Sequence, residues 1–450
     1  MKFLRTHYPN LIILLVFTAG VCFRASWYGD LRLSTANAET ESYISASRAS
    51  IFSWKIFAGQ RLFTTNLIYK MANDSANCPI TSYGKPGIGE EAERAAQPCF
   101  DRIALLQNIL AIFGWCFLGW MLARRLRHPF IKIMAAALVM LFGFTPQIAE
   151  SDSVLSPESL SLSLFAVTLG LALDLVISAA ESDAPFKTRT EKALLSVWVV
   201  TFLLWVFVRD VHLYAMPVTL SLFVPLFLLK KFRDSRPVWV VFIVLLLFFA
   251  VGFLSAQDGR RAMIPVGHAL EEYILPYQAR VEYFNERGMP DVESPEFSNW
   301  VQANGATVYG VFLITHPGFI VSTLWENMEL LNADFIQPYF LTDEVQHREF
   351  LLVIGEMVNP ETGAVYVLGA VLLINLLVQA GGKRTPLLSA WAWLAVWAYG
   401  AAAATLLISY FGDTAGLRRH IMPSVEMFRL YMWVFLLPFL DMSLRETRNP

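Results

Sequence analysis

The sequence predicts an all-α polytopic membrane protein of about ten transmembrane helices, with interfacial helices and two long external loops. Three observations predict it. Apolar residues make up 56% of the 450 and charged residues only 16%, whereas soluble chains carry about 25% charged residues. The mean hydropathy is +0.48. The apolar residues fall in runs of about 20, the length that crosses a hydrocarbon core. Too few charges remain to cover a water-facing surface, and disorder, collagen and coiled coil are excluded on the same ground. A formal net charge of −2 leaves no broad basic surface for nucleic acid.

Ten runs are expected to span, at about 8–24, 103–123, 129–148, 157–180, 191–208, 212–229, 237–256, 364–380, 386–410 and 423–441. The first follows Lys2 and Arg5 and reads as an uncleaved span, with a cleaved signal peptide as the alternative. Lys and Arg in short loops set orientation. Arg124-Arg125-Leu126-Arg127, Lys187 to Lys192, Lys230-Lys231-Phe232-Arg233, Lys383-Arg384 and the tail with Arg445 and Arg448 fall in the turns expected inside, and the outer turn at 149–156 has no Lys or Arg. Both termini are then cytoplasmic. Segments 25–102 and 257–363 are external, giving an N-terminal membrane module over 1–256, an external, helical segment over 257–363 and C-terminal spans over 364–450. The apolar run 310–324 contains His316 and Pro317 and is short for a span, so it is expected to be an interfacial or buried helix. No internal repeat is visible. Of four cysteines, Cys22 and Cys116 fall inside spans, and Cys78 and Cys99 outside. A Cys78–Cys99 bridge suits an oxidising compartment; two free thiols are the alternative.

Charges at membrane level are expensive and mark function. Four groups collect on the outer side. Glu39-Thr40-Glu41-Ser42-Tyr43 follows the first span. The stretch 38–57 has helical apolar spacing (Tyr43, Ile44, Ile51, Phe52, Trp54, Ile56, Phe57) and would lie along the membrane surface. Glu39 sits at its start, as an ionised group near the positive helix end or as a plain capping carboxylate. Glu150, Asp152 and Glu158 surround the mouth of the third and fourth spans, with Ser156 as cap and Pro157 at the first helical position. Arg209-Asp210-Val211-His212 forms a tight turn, in which Arg209 and Asp210 could simply pair. Asp413 and Leu417-Arg418-Arg419-His420-Ile421-Met422-Pro423 precede the last span. Arginine suits bidentate phosphate recognition; snorkelling to lipid headgroups is the plain alternative.

This order of motifs resembles the GT-C superfamily of polytopic glycosyltransferases, over roughly 1–230 and 385–445. Glu39 to Tyr43 looks like its acid-rich first-loop motif, with Glu where Asp is usual. Gln60-Arg61-Leu62-Phe63 is similar to the segment after the first interfacial helix, without the usual prolines. Ser156-Pro157-Glu158-Ser159-Leu160 looks like the acid at the fourth span, and Arg419-His420-Ile421-Met422-Pro423 like the Arg-x-x-x-Pro stretch. The resemblance implies sugar transfer from a polyprenyl-phosphate donor at the non-cytoplasmic face, in a bacterial inner membrane with the site facing the periplasm or exterior. Its partners would be that donor and membrane lipids. Glu39 is the expected general base, with Glu41 competing. Arg419, then Arg418 and Arg209, would stabilise the leaving phosphate, with His420 beside them. Asp152 and Glu158 would shape the sugar or acceptor pocket. Hard cations prefer carboxylate oxygen, so a divalent metal stays open, with no strict ligand spacing to assign it. A transporter and another lipid-linked envelope enzyme, such as a ligase, are the competing readings. A site joining Glu39, Glu158 and Arg419 at one membrane face favours transfer. A cavity at mid-depth favours transport.

Overall fold

The computed structural model describes residues 2–28, 30–37, 39–72, 78, 97–333, 349–383, 385–414 and 416–446. Arg384 and Arg448, read above as orienting charges, lie outside them. Among the described residues the chain is helical, with one isolated parallel bridge between Thr35 and Val154. Among the described residues eight helices are long and apolar enough to cross a membrane: Tyr8–Trp27, Asp101–Arg125, Pro157–Glu181, Asp210–Leu228, Arg236–Asp258, Ala364–Lys383, Pro386–Gly412 and Leu417–Leu444.

Two further apolar stretches are broken by proline. Pro129–Phe144 and Pro146–Ser153 meet at 52°. Thr145, before Pro146, takes an extended conformation (φ −78°, ψ 157°) because the proline ring excludes the helical one. Glu296–Thr315 and Pro317–Glu326 meet at 86°. The run expected as one short helix over 310–324 is therefore bent at His316-Pro317. The helix Arg189–Val206 has 18 residues and opens on a capping box between Thr188 and Glu191. Its charged first turn (Arg189, Glu191, Lys192) keeps it out of the eight.

The surface helix expected over 38–57 is also corrected. It runs only over Thr40–Ser47, and a second turn follows at Lys55–Ala58. Serines interrupt it: the Ser53 hydroxyl accepts from Lys55 N at 3.2 Å, a local bond that competes with the helical ladder. Phe52 is fully exposed and Trp54 58% exposed, so the intervening turn is apolar on its outer side.

Helix Pro157–Glu181 is the axis of the bundle, its apolar stretch 89% buried. Asp101–Arg125 lies against it so closely that a Cβ on Gly114 would come within 2.7 Å of the Ser163 carbonyl oxygen. Phe165, Phe202, Trp205 and Trp397 fill the space behind it. A separate cluster around Leu270, Phe284, Trp300 and Phe312 forms within the segment expected outside. Arg261–Asp210 (2.9 Å) and His268–Asp413 (3.2 Å) tie that segment to the bundle.

Cys78 and Cys99 are joined, with a Cα separation of 5.9 Å. In the chain-entropy picture a loop of this size stabilises by about 3 kcal/mol. Cys78→Ser with Cys99→Ser is expected to lower unfolding stability by that amount. Unchanged thermal stability on reduction would show that the link contributes nothing.

Candidate functional site

The site begins with a piece of backbone. Thr35 N donates to Ser153 O (2.8 Å), and Leu155 N to Thr35 O (2.9 Å). Five residues on, the Thr40 hydroxyl donates to Leu155 O at 2.9 Å. These bonds hold the entry to helix Thr40–Ser47 against the entry to helix Pro157–Glu181. Glu39 and Glu158 are thereby brought to the same end of the bundle.

Glu39 occupies the N-cap position, yet its side chain makes no capping hydrogen bond. The plain capping role is therefore excluded. The carboxylate instead faces cations. Arg419 Nη2 donates to Glu39 Oε1. Arg61 Nη1 lies 3.3 Å from Oε2, and the Tyr43 hydroxyl donates to Oε2 at 3.3 Å. Burial pushes the Glu39 carboxyl up, but Arg419 and Arg61 outweigh it and hold it below its ordinary 4.5. Burial keeps the Tyr43 phenol far above its ordinary range, so it stays a donor. Glu41, the competing acid, is exposed in the first turn.

Arg419 also reaches Glu158, Nε to Oε1 at 3.9 Å. Arg209 faces the same oxygen from its own side at 3.7 Å. Arg209 therefore turns to Glu158, not to its neighbour Asp210, which pairs with Arg261. Glu158 is 1% exposed, and its Oε2 has no hydrogen-bond partner among the described residues; neither has Arg209 Nη1. Ser156 stands at the cap position of this helix, but its hydroxyl does not cap; it is buried without a partner among the described residues.

His420 lies between the two arginines, Nδ1 at 3.1 Å from Arg209 Nη2 and Nε2 at 3.2 Å from Arg419 Nη2. A neutral imidazole accepts on one nitrogen only, so one of these contacts at most is a hydrogen bond. Asp413, 3.9 Å from His420, and His268 extend the group to the segment around 263–319.

Two expected members stand elsewhere. Asp152 is buried against Arg24, with the Ser159 hydroxyl on its other oxygen. Arg418 is exposed. Arg61, His268 and Tyr43 were not among the expected site residues. The signal for Arg61 was present: it lies inside a motif already singled out, Gln60-Arg61-Leu62-Phe63. Nothing in the sequence pairs His268 with Asp413.

The arrangement does not fit a resident divalent metal. Both Glu39 oxygens face guanidinium groups. Glu39 is met by Arg419 and Arg61 and Glu158 by Arg419 and Arg209, so each of these carboxylates already faces two guanidinium groups. Among the described residues no group of three or more His, Cys, Asp or Glu could hold a metal.

No protein-family model matches the chain, and no curated protein matches it. Among solved structures it is similar to the archaeal oligosaccharyltransferase AglB from Archaeoglobus fulgidus in complex with an inhibitory peptide and a dolichol-phosphate. The identity is 13% and the TM-score 0.49, over 99% of this chain and 52% of that chain. It is also similar to the Archaeoglobus fulgidus oligosaccharyltransferase in complex with Zn and sulfate (13%, TM-score 0.46, 96% and 51%) and in the apo form (12%, TM-score 0.44, 100% and 52%). The chain spans about half the length of these structures.

Proposed function

We propose that the chain is a glycosyltransferase that moves a sugar from a polyprenyl-phosphate carrier to an acceptor at the non-cytoplasmic face. The observation that carries this reading is Arg419 set between Glu39 and Glu158, with Arg209 on the far side of Glu158. The group stands at the start of helix Pro157–Glu181, the end away from the Lys- and Arg-rich loops. It combines a carboxylate to take a proton with cations to receive a departing phosphate, the two needs of the reaction.

In this reading the acceptor oxygen attacks the anomeric carbon as its proton passes to Glu39. The bond from that carbon to the phosphate oxygen breaks, and the phosphate keeps the electron pair. Arg419 and Arg209 neutralise the charge that develops there. An arriving phosphate competes with Glu39 for Arg419, which frees Glu39 Oε1 for the proton. Glu158 holds both arginines in place, and its unpaired oxygen, costly when buried, is suited to a sugar hydroxyl. No step is routed through a metal.

A transporter would be favoured by charge at mid-depth. Glu426 and Arg429 are buried within the last helix, but they pair with each other at 2.6 Å, and Arg429 also donates to Asn332 O at 2.8 Å. They read as a structural pair.

The test is transfer from a radiolabelled polyprenyl-phosphate sugar in liposomes holding the purified chain. Arg419→Ala is expected to lower kcat/KM by about 10²- to 10³-fold, the size of a lost charge-stabilising donor. KM for the carrier should also rise, because its phosphate is charged in ground and transition states alike. Unaltered transfer in Arg419→Ala and in Arg209→Ala would refute the assignment.

A further inference from the structure

A cavity of about 500 Å³ lies at the opposite end of the bundle from Glu39. Its size falls within the range of small-molecule sites, roughly 300–1,000 Å³. It is bounded by the last turns of helices Pro157–Glu181 and Ala215–Leu228 and by the first turns of Arg189–Val206, Arg236–Asp258 and Pro386–Gly412. Small residues, Ala172, Ala179 and Ala390 among them, leave the space, and Trp198, Phe223 and Trp393 wall it.

Its depth is set by helix rise. From Ala172 to Ala180 is eight residues, about 12 Å at 1.5 Å each. Half of a hydrocarbon core is about 15 Å. The cavity is thus one leaflet deep and apolar. It begins fourteen residues beyond Glu158, about 21 Å along the same helix, so it is not part of the site described above.

Two features mark its mouth. Phe186, which lines it, has φ +63°, a left-handed backbone that a bulky side chain adopts only under constraint. The surroundings hold that backbone, and its aromatic ring lines the cavity. The connections beside it carry Lys187, Lys230, Lys231 and Arg233 against Asp183 and Asp234, and the flanking helix ends add Arg236 and Glu181. Lys231 donates to Ala179 O, Ala180 O and Ser182 O (2.9–3.1 Å), closing the helix end and fixing a positive charge at the rim.

We infer that this cavity holds one acyl chain of an anionic phospholipid from the leaflet on the Lys- and Arg-rich side. The chain fills the apolar space under Phe186, and the phosphate meets the basic rim. A leaflet-deep apolar slot excludes a polar solute, and the excess of positive charge selects an anionic headgroup.

The full chain is reconstituted in nanodiscs of equal phosphatidylglycerol and phosphatidylcholine, released into mild detergent and weighed by native mass spectrometry. One retained phosphatidylglycerol per chain is expected. Ala390→Phe, which fills the slot, should lower its occupancy about tenfold, a difference of about 1.4 kcal/mol. Ala179→Phe is the second filling variant, in case the first does not fold. Lys230→Glu with Arg233→Glu leaves the slot intact and should bring the two lipids to equal retention. Undiminished occupancy in a folded filling variant overturns the inference. So does equal retention of both lipids by the unaltered chain, which is what ordinary surrounding lipid would give, or retention of neither.

Discussion

Glu39→Gln is expected to lower sugar transfer by about 10²- to 10⁴-fold, the range for a lost acid–base group. Glu41→Gln is expected to leave it nearly unchanged. Gln keeps the shape of Glu39 and its one amide oxygen can still accept from Arg419, while its NH2 replaces the oxygen that faces Tyr43 and Arg61, and it cannot take the acceptor proton. The two acids are two residues apart on the chain and differ in surroundings: Glu39 faces Arg419, Arg61 and Tyr43, and Glu41 is exposed. The stability cost of Glu39→Gln is expected to be about 1 kcal/mol or less, because the carboxylate is 27% exposed and its ion pairs are partly screened. No capping bond is lost, since the side chain makes none. A pH profile adds a second readout. Arg419 and Arg61 overcome the upward push of burial and hold the Glu39 carboxyl below 4.5. The base is therefore ionised at neutral pH in the free enzyme, and kcat/KM should fall only as pH drops below the ordinary carboxylate range. Single-turnover transfer, with thermal stability measured alongside, checks all of this. Normal turnover in Glu39→Gln, or loss confined to Glu41→Gln, would move the base elsewhere.

How much of this was legible follows from what each signal depends on. Span positions depend on local composition, and the apolar runs mark them within a few residues. The breaks depend on proline, and Pro146 and Pro317 were visible, though how far each bends its helix is set by packing. Which loops share an end of the bundle also follows from the sequence, by counting the spans between them. Partner choice does not. Arg209 and Asp210 are adjacent and of opposite charge, yet they pair with Glu158 and Arg261, since the turn sends their side chains to different neighbours. Glu39 and Arg419 are separated by 380 residues. Sequence order placed both on one face, but the bridge at Thr35 and Val154 and the Thr40 hydroxyl on Leu155 O bring that first loop to the mouth of the bundle. Arg24 drew no notice at all. It stands at the end of the first span, where an arginine usually reaches headgroups.

Arg24 carries the second large effect, and it separates Asp152 from substrate binding. Its side chain and that of Asp152 are 0% and 1% exposed. Arg24 Nη2 donates to Asp152 Oδ2, to Asn108 Oδ1 at 2.9 Å and to Ala149 O at 3.4 Å, while Ser159 holds the other oxygen of Asp152. The guanidinium also lies over Tyr28 and Phe144, 5.5 and 5.2 Å from the ring centres. The pair joins the first span to the turn that leads into helix Pro157–Glu181, and so supports Glu158 from behind. Removing one partner leaves a buried charge alone, at a cost of about 3–5 kcal/mol. Asp152→Ala and Arg24→Ala are therefore each expected to lower thermal stability steeply, and to lose transfer in proportion to the folded fraction. The charge-free double variant Arg24→Met with Asp152→Leu should recover most of that stability, because replacing a buried pair by apolar groups of similar volume is often neutral. If Asp152 instead touched sugar or acceptor, Asp152→Asn would stay folded and lose transfer, and the double variant would be as inactive as the single ones. Transfer per folded molecule, measured across the four variants, decides between these outcomes.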